Sequence, residues 1–251
     1  IDKGKNISII CTASTGTNHV DLNYVKEKNI KFLSLTEERD IIDKISSTAE
    51  HAFALTLSAI RHIPFSFKDV LGGSWNYEKF IGRQLNGLTI GIVGYGRLGS
   101  LYSKYCIPFD PKILVFDPYK KVNNDKIFQV DNVEDLLVKC DVISFHVHVN
   151  EETINMIDSS WLKKMKKDVI LVNTSRGDIF NEGDLIEFLK NNNHARYATD
   201  VLANEILSKK DNFVIEYARN SNQIIITPHI GGMTKEAQEI AYNHAAKLCK
   251  E

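Results

Sequence analysis

The stretch Leu88-Thr-Ile-Gly-Ile-Val-Gly94-Tyr-Gly96-Arg-Leu-Gly99, continuing into Ser100-Leu-Tyr-Ser-Lys-Tyr-Cys106, constrains the fold more than any other part of the chain. An apolar, β-branched run meets a glycine cluster and then takes on helical spacing, which predicts strand, tight turn and helix. Gly94 serves the turn, Gly96 lets backbone approach a pyrophosphate, and Gly99 lets the helix pack closely on its strand. The helix amino terminus then faces the phosphates. Glycine spacing of this kind also occurs in ordinary loops, so context decides its meaning. A second strand, Ile113-Leu-Val-Phe116, ends in Asp117. That carboxylate lies about 20 residues past the glycines, where it can accept hydrogen bonds from a ribose diol. Together these features read as a dinucleotide cradle.

The rest of the second half repeats the alternation. Apolar strands are predicted at 113–117, 141–145, 169–173, 196–200 and 224–227, with helical stretches between most of them and a closing helix over about 235–250. Such alternation gives a Rossmann-type, doubly wound parallel sheet with helices on both faces, and the continuous apolar strands agree with burial on both sides.

Composition narrows the function. With 251 residues, 43% of them hydrophobic, the chain can build one large or two modest domains. A formal net charge of -1 argues against a nucleic-acid or membrane-surface binder. The four cysteines, Cys11, Cys106, Cys140 and Cys249, form no C-x-x-C pair, so no zinc site or disulfide framework is expected. No apolar run approaches a membrane span, and the first residues lack signal-peptide character. A cytoplasmic protein is the expectation.

Before the glycine cluster the pattern is thinner. Strands are predicted at 7–11 and 30–33, with a helix from Val20 between them and a turn at Ser14-Thr15-Gly16. Ser47-Thr-Ala-Glu50 reads as a capping box opening a helix that runs to about Ile63, just before Pro64. Ala49, Ala52, Phe53, Ala54, Leu55, Leu57, Ala59, Ile60 and Ile63 nearly encircle that helix, which predicts burial between domains or against another chain. The segment 64–86, with Gly72-Gly73 and Gly82, reads as a linker carrying Trp75 and Tyr77.

Chemistry-bearing residues gather at the carboxyl ends of the predicted strands, the edge where open α/β sheets bind ligands. One strand delivers Thr174-Ser175-Arg176-Gly177, another Asp200-Val-Leu-Ala-Asn-Glu205, and a third Pro228-His229-Ile-Gly-Gly232. Singly, a strand-end Arg is usually a surface ion pair and a loop Asp or Glu a cap. On one edge beside a nucleotide cradle they read as catalytic. His146-Val-His148 suggests a metal pair on one strand face, but no third ligand stands at suitable spacing, so no metal is expected. The Lys163–Lys167 run reads as a solvated helix end.

In this order, Gly94-x-Gly-x-x-Gly99, Asp117-Pro-Tyr, Asn173-Thr-Ser-Arg-Gly177, Asp200 with Glu205, and Pro228-His-x-Gly-Gly232 resemble the D-isomer-specific 2-hydroxyacid dehydrogenases. Ser14-Thr-Gly-Thr-Asn-His-Val-Asp21 and Ser47-Thr-Ala-Glu-His51 match further motifs of that family, so the resemblance covers nearly the whole chain. It implies Arg176, Glu205 and His229 as the catalytic trio. Thr15 and Gly16 would offer backbone amides, beside Arg176, to a substrate carboxylate. Gly94, Gly96, Arg97, Leu98, Gly99, Asp117, Val147, Thr174, Ser175, Arg176, Asp200, His229 and Gly232 would contact NAD. The partner would be a small 2-hydroxy or 2-keto acid, and the assembly a homodimer.

By the same resemblance, 1–80 is part of a smaller, flavodoxin-like substrate domain with an interdomain helix. Residues 81–232 form the NAD-binding domain, and 233–251 a helix returning toward the substrate domain. Only two strands can be found before the linker, and two strands seldom make a stable sheet alone, so the first domain is expected to be incomplete at its amino end. His148 and Ile206 stand where the family usually has Pro.

The chemistry needs these residue types. A ketone oxygen must gain a proton as its carbon receives hydride, and imidazole titrates ordinarily near neutrality. Glu205 would pair with that ring and fix its tautomer, while a permanently charged, bidentate Arg176 would hold the keto acid and polarise its carbonyl. A nucleotide-sensing, corepressor-like protein with little turnover is the alternative on this fold. A formate-type enzyme would be expected to carry Gln at position 205.

Overall fold

The computed structural model describes residues 1, 4, 6–17, 19–205 and 212–250. The chain divides into two compact units, residues 1–47 with 232–251, and residues 48–231. The division at Ser47/Thr48 differs from the expected boundary near residue 80.

In the first unit, β1 (Ile9–Cys11), α1 (Leu22–Glu27), β2 (Lys31–Leu33) and α2 (Arg39–Ile42) follow one another. The two strands pair in parallel with Ile10 opposite Phe32, a two-stranded sheet as the sequence predicts. Asp21 caps α1 by accepting from the Tyr24 amide at 3.0 Å, so the helix proper begins at Leu22 and not at Val20. Leu35, Ile42 and Ala241 form the small core, and His244 bonds Glu38 at 2.7 Å.

The second unit opens one residue into α3 (Ser47–Ile60) and continues with α4 (Ile63–Leu71). The segment after Ile63, expected to be a linker, is thus helical as far as Leu71. Pro64 lies in the first turn of α4, where a missing N–H costs nothing, and His62 takes a left-handed φ of 56° that redirects the chain between the helices. The Ser47 hydroxyl is buried without a hydrogen-bond partner, so the hydroxyl arm of the expected capping box is not made.

A seven-stranded, all-parallel sheet follows. Its strands and helices are β3 (Thr89–Val93), α5 (Arg97–Cys106), β4 (Lys112–Phe116), β5 (Ile127–Gln129), α6 (Val133–Lys139), β6 (Val142–Phe145) and α7 (Ser159–Leu162). They continue with β7 (Ile170–Asn173), α8 (Glu182–Asn191), β8 (Arg196–Thr199), α9 (Phe213–Arg219) and β9 (Ile224–Ile226). The order is β5-β4-β3-β6-β7-β8-β9, so the sheet reverses direction of growth at β3 and β6, the position where such sheets bind nucleotides. The last helix, α10 (Lys235–Leu248), belongs to the first unit.

Strand residues alternate between two cores, as a period of two demands. Leu114, Ile143, Phe145, Leu171 and Tyr197 face one side with Leu136, Leu162 and Leu185. Ile90, Ile92, Ile113, Val115, Val142 and Val172 face the other with Tyr102 and Cys106. Ala52, Leu55, Ala59 and Ile60 of α3 join this second core. The apolar girdle of α3 is therefore covered by the sheet that follows it, which is why the compact unit begins at Thr48.

Among the described residues no helix is long and apolar enough to cross a membrane.

Candidate active site

The glycine cluster sits between β3 and α5 as expected. Gly94 has φ +89°, a region L side chains avoid, and a Cβ there would press on the His146 carbonyl. Gly96 is the N-cap of α5 and makes no side-chain cap, and a Cβ on it would meet nothing within 4 Å. Arg97 and Leu98 form the first turn of α5, half-buried, and Gly99 is buried behind them. Asp117 follows the end of β4. Its Oδ2 accepts from the Tyr95 amide at 2.7 Å, and its Oδ1 from the amides of Tyr119 and Lys120 at 2.9 and 3.0 Å. The carboxylate is thereby fixed beside the turn that carries Gly94 and Gly96.

Across the switch point, β6 ends at Phe145, so His146 and His148 lie beyond the strand and the alternate-face argument for a metal pair does not apply to them. The His146 Nε2 bonds Ser144 at 2.9 Å, and burial lowers its pKa to about 3. Ser175 ties this segment to the next strand, donating to the Phe145 carbonyl at 2.7 Å and accepting from the Val147 amide at 3.2 Å. The Thr174 hydroxyl, beside it, is buried with no hydrogen-bond partner. An orphaned hydroxyl, an open helix amino terminus and a fixed carboxylate on one edge fit a dinucleotide.

Arg176 leaves the end of β7 in extended backbone, and its Nη1 donates to the Ser175 carbonyl at 2.7 Å. Asn173, fully buried, shapes this loop. Its Nδ2 donates to the Arg176 carbonyl at 2.8 Å and to the Tyr197 hydroxyl at 3.2 Å, while its Oδ1 accepts from the Ser175 amide. Gly177 explains how the loop meets its neighbour, because a Cβ there would overlap the Leu202–Ala203 backbone. The close approach brings the Arg176 loop against the loop that carries Glu205.

That second loop is held from below. Glu182 accepts from the Ala203 amide at 2.9 Å and from Asn212 Nδ2 at 2.8 Å, and the Leu202 amide donates to Glu205 Oε2 at 3.2 Å. Sequence reading missed Asn173 and Glu182 as supports. An Asn closing an otherwise apolar strand, and an acid in the first turn of α8, are the signals each left. Ile206 lies outside the described residues.

The His229 Nδ1 donates to Glu205 Oε1. A carboxylate can only accept, so the proton is on Nδ1 and Nε2 is left for another partner. Burial pushes the Glu205 carboxyl up, but the hydrogen bond and charge of His229, the Leu202 amide and the Arg176 charge together hold it below its ordinary value. His229 is 45% exposed at its side chain, Glu205 23%. The ring thus has one side anchored and the other accessible. Asp200, 2% exposed, accepts from the Ile230 amide at 2.9 Å, the Gly231 amide at 2.7 Å and the Thr227 hydroxyl at 2.5 Å. Burial raises its carboxyl, and these bonds with His51 bring it below the ordinary value.

Thr15 and Gly16 lie in the first unit, in a turn whose peptide planes are set by hydroxyls. Thr36 donates to the Thr15 carbonyl at 3.0 Å and Ser14 to the Gly16 carbonyl at 2.7 Å. Gly232 begins the return of the chain to that unit, and a Cβ on it would meet nothing within 4 Å.

Residues 53–231 match the D-isomer specific 2-hydroxyacid dehydrogenase NAD-binding domain. Among curated relatives, the chain is 36% identical over 242 residues to a D-3-phosphoglycerate dehydrogenase of Archaeoglobus fulgidus, covering 95% of this chain and 44% of that protein. It is 32% identical over 252 residues to a hydroxypyruvate reductase of Thermotoga maritima, covering 100% of this chain and 79% of that one. Among solved structures, the D-lactate dehydrogenase of Aquifex aeolicus complexed with NAD and lactic acid superposes with a TM-score of 0.83 at 29% identity, over 99% of this chain and 77% of that one. The chain spans about half the length of the first curated relatives it matches. With its glycine turn, Asp117 and the His229–Glu205 pair on one sheet edge, and with most of its length matched, the chain belongs to the D-isomer specific 2-hydroxyacid dehydrogenase family.

Proposed function

We propose that the protein transfers a hydride between NAD(H) and a small 2-hydroxy or 2-keto acid. The observation that carries this reading is the hydrogen-bonded His229–Glu205 pair beside Arg176, at the sheet edge that holds the glycine turn. NAD would supply the hydride when bound, with Gly94, Gly96, Arg97 and Leu98 holding its phosphates, Gly99 packing α5 behind them, and Asp117 holding its ribose. Val147, Thr174, Ser175 and Asp200 line the same edge. In reduction, the His229 ring, protonated on both nitrogens, gives its Nε2 proton to the ketone oxygen as the carbonyl carbon gains hydride. Glu205 keeps the other ring nitrogen protonated and the ring oriented. Arg176 binds the substrate carboxylate and stabilises the developing alkoxide.

The test is loss of NADH absorbance with a panel of 2-keto acids. Turnover of at least one supports the reading, and none with a protein that still binds NADH overturns it. A sensor without turnover gains no support, since relatives across 95% or more of the chain are named as a dehydrogenase and a reductase.

NAD is favoured over NADP. Three backbone amides pin the Asp117 carboxylate, so it cannot swing away from a 2′-phosphate, and the two negative groups repel. NADPH is expected to bind at least about tenfold more weakly than NADH, with Lys120 and Lys121 limiting the difference. Fluorescence titration giving equal affinities would refute this.

We also place the protein in the cytoplasm as a homodimer. A reducing compartment suits its four free thiols, of which burial pushes Cys106 and Cys140 up to about 12. Since α3 is covered within its own unit, we take exposed apolar residues that follow it as the dimer surface: Phe67 and Leu71 of α4 with Trp75, Tyr77 and Ile81, each 65% exposed or more. Phe67→Asp with Leu71→Asp is expected to halve the mass seen by light scattering at micromolar concentration. An unmutated protein that is already monomeric would count against the dimer.

A further inference from the structure

We infer that His51 is a positioning residue for the turn that carries His229, acting through Thr227 and Asp200. This inference rests on the reading of His229 as the general acid. The Thr227 hydroxyl lies 2.5 Å from Asp200 Oδ1, and a carboxylate only accepts, so the hydroxyl's one proton is spent there. His51 Nε2 lies 2.8 Å from the same hydroxyl oxygen and 3.3 Å from Asp200 Oδ1. It must therefore be the donor, and His51 carries its proton on Nε2.

The consequence is mechanical. Residues 227–231 wrap around Asp200, whose carboxylate accepts from the Thr227 hydroxyl and the Ile230 and Gly231 amides, and whose carbonyl accepts from the His229 amide at 2.9 Å. At the apex of this turn His229 has φ +55°, a left-handed conformation uncommon for a non-glycine residue, and the bonds to Asp200 on either side of it hold the turn in that shape. His51 stands on α3, a 14-residue helix packed on the sheet. Its imidazole reaches this hub from outside the loops that follow β8 and β9, and so links the aim of His229 Nε2 to a rigid element.

Three measurements test the inference. In the unmutated protein, ¹⁵N NMR is expected to find the His51 proton on Nε2, and a proton on Nδ1 alone would overturn the assignment. In His51→Leu, exchange of the Ile230 and Gly231 amides is expected to quicken about tenfold, and kcat with a turned-over keto acid to fall about tenfold at nearly unchanged KM. In His51→Gln, whose amide nitrogen can donate from a similar reach, both are expected to recover in large part. Leu exchange and kcat within about twofold of the unmutated protein, or Gln as impaired as Leu, would overturn it. If no keto acid is turned over, the reading of the reaction fails, while tautomer and amide exchange still decide the role of His51.

Discussion

His229→Ala is expected to lower turnover by about 10²–10⁴, roughly 3–5 kcal/mol of barrier, while NADH affinity stays within about twofold. On the proposed mechanism the ring supplies a proton to the substrate oxygen in the transition state, whereas the nucleotide would be held by the turn and strand ends on β3, β4 and β7. One refinement follows from the backbone. At φ +55° alanine adds strain, but asparagine accepts the left-handed region, so His229→Asn separates lost chemistry from a disturbed turn. Both variants should lose turnover to a similar degree, as measured by steady-state kinetics at saturating NADH with fluorescence titration alongside. Retained turnover in the Asn variant would remove His229 from the mechanism.

Arg176→Ala is expected to cost about 10²–10³ in kcat/KM, with the loss shared between a higher KM for the keto acid and a lower kcat. In the proposed mechanism the guanidinium both binds the carboxylate and polarises the carbonyl, so neither constant would escape. Arg176→Lys should recover only part, since an ammonium keeps the charge but not the planar fork. Loss of the arginine also removes a charge that lowers the Glu205 carboxyl, so Glu205 in the Ala variant is expected to titrate at higher pH. Kinetics with KM and kcat resolved separately decide the matter, and an unchanged KM would take Arg176 away from the substrate.

The parallel sheet was legible because its central strands are buried on both faces and read as unbroken apolar runs. β5 was not, since only Ile127 of its three residues is buried and no period can show in such a segment. α4 was misread because Pro64 looks like a stop from sequence, although a proline in the first turn of a new helix is equally at ease. The capping-box string at Ser47 names residue types without ensuring their geometry, and the hydroxyl found no partner. Site residues divide in the same way. Arg176, Glu205 and His229 announce themselves as charged or titratable groups past strand ends. The groups that shape their loops, Asn173, Gly177, Glu182 and Thr227, act over contacts that local sequence cannot encode, as when Gly177 admits the Leu202–Ala203 backbone.

The lengths of the outermost strands carry a consequence for the protein in concentrated solution. β5 and β9, the margins of the large sheet, have three residues each, as do both strands of the small one, while the strands inside the large sheet have four or five. A three-residue margin offers an incoming chain too few unpaired amides and carbonyls to template strand addition. Domain exchange and amyloid-like stacking through these margins are thus discouraged by geometry, independently of charge.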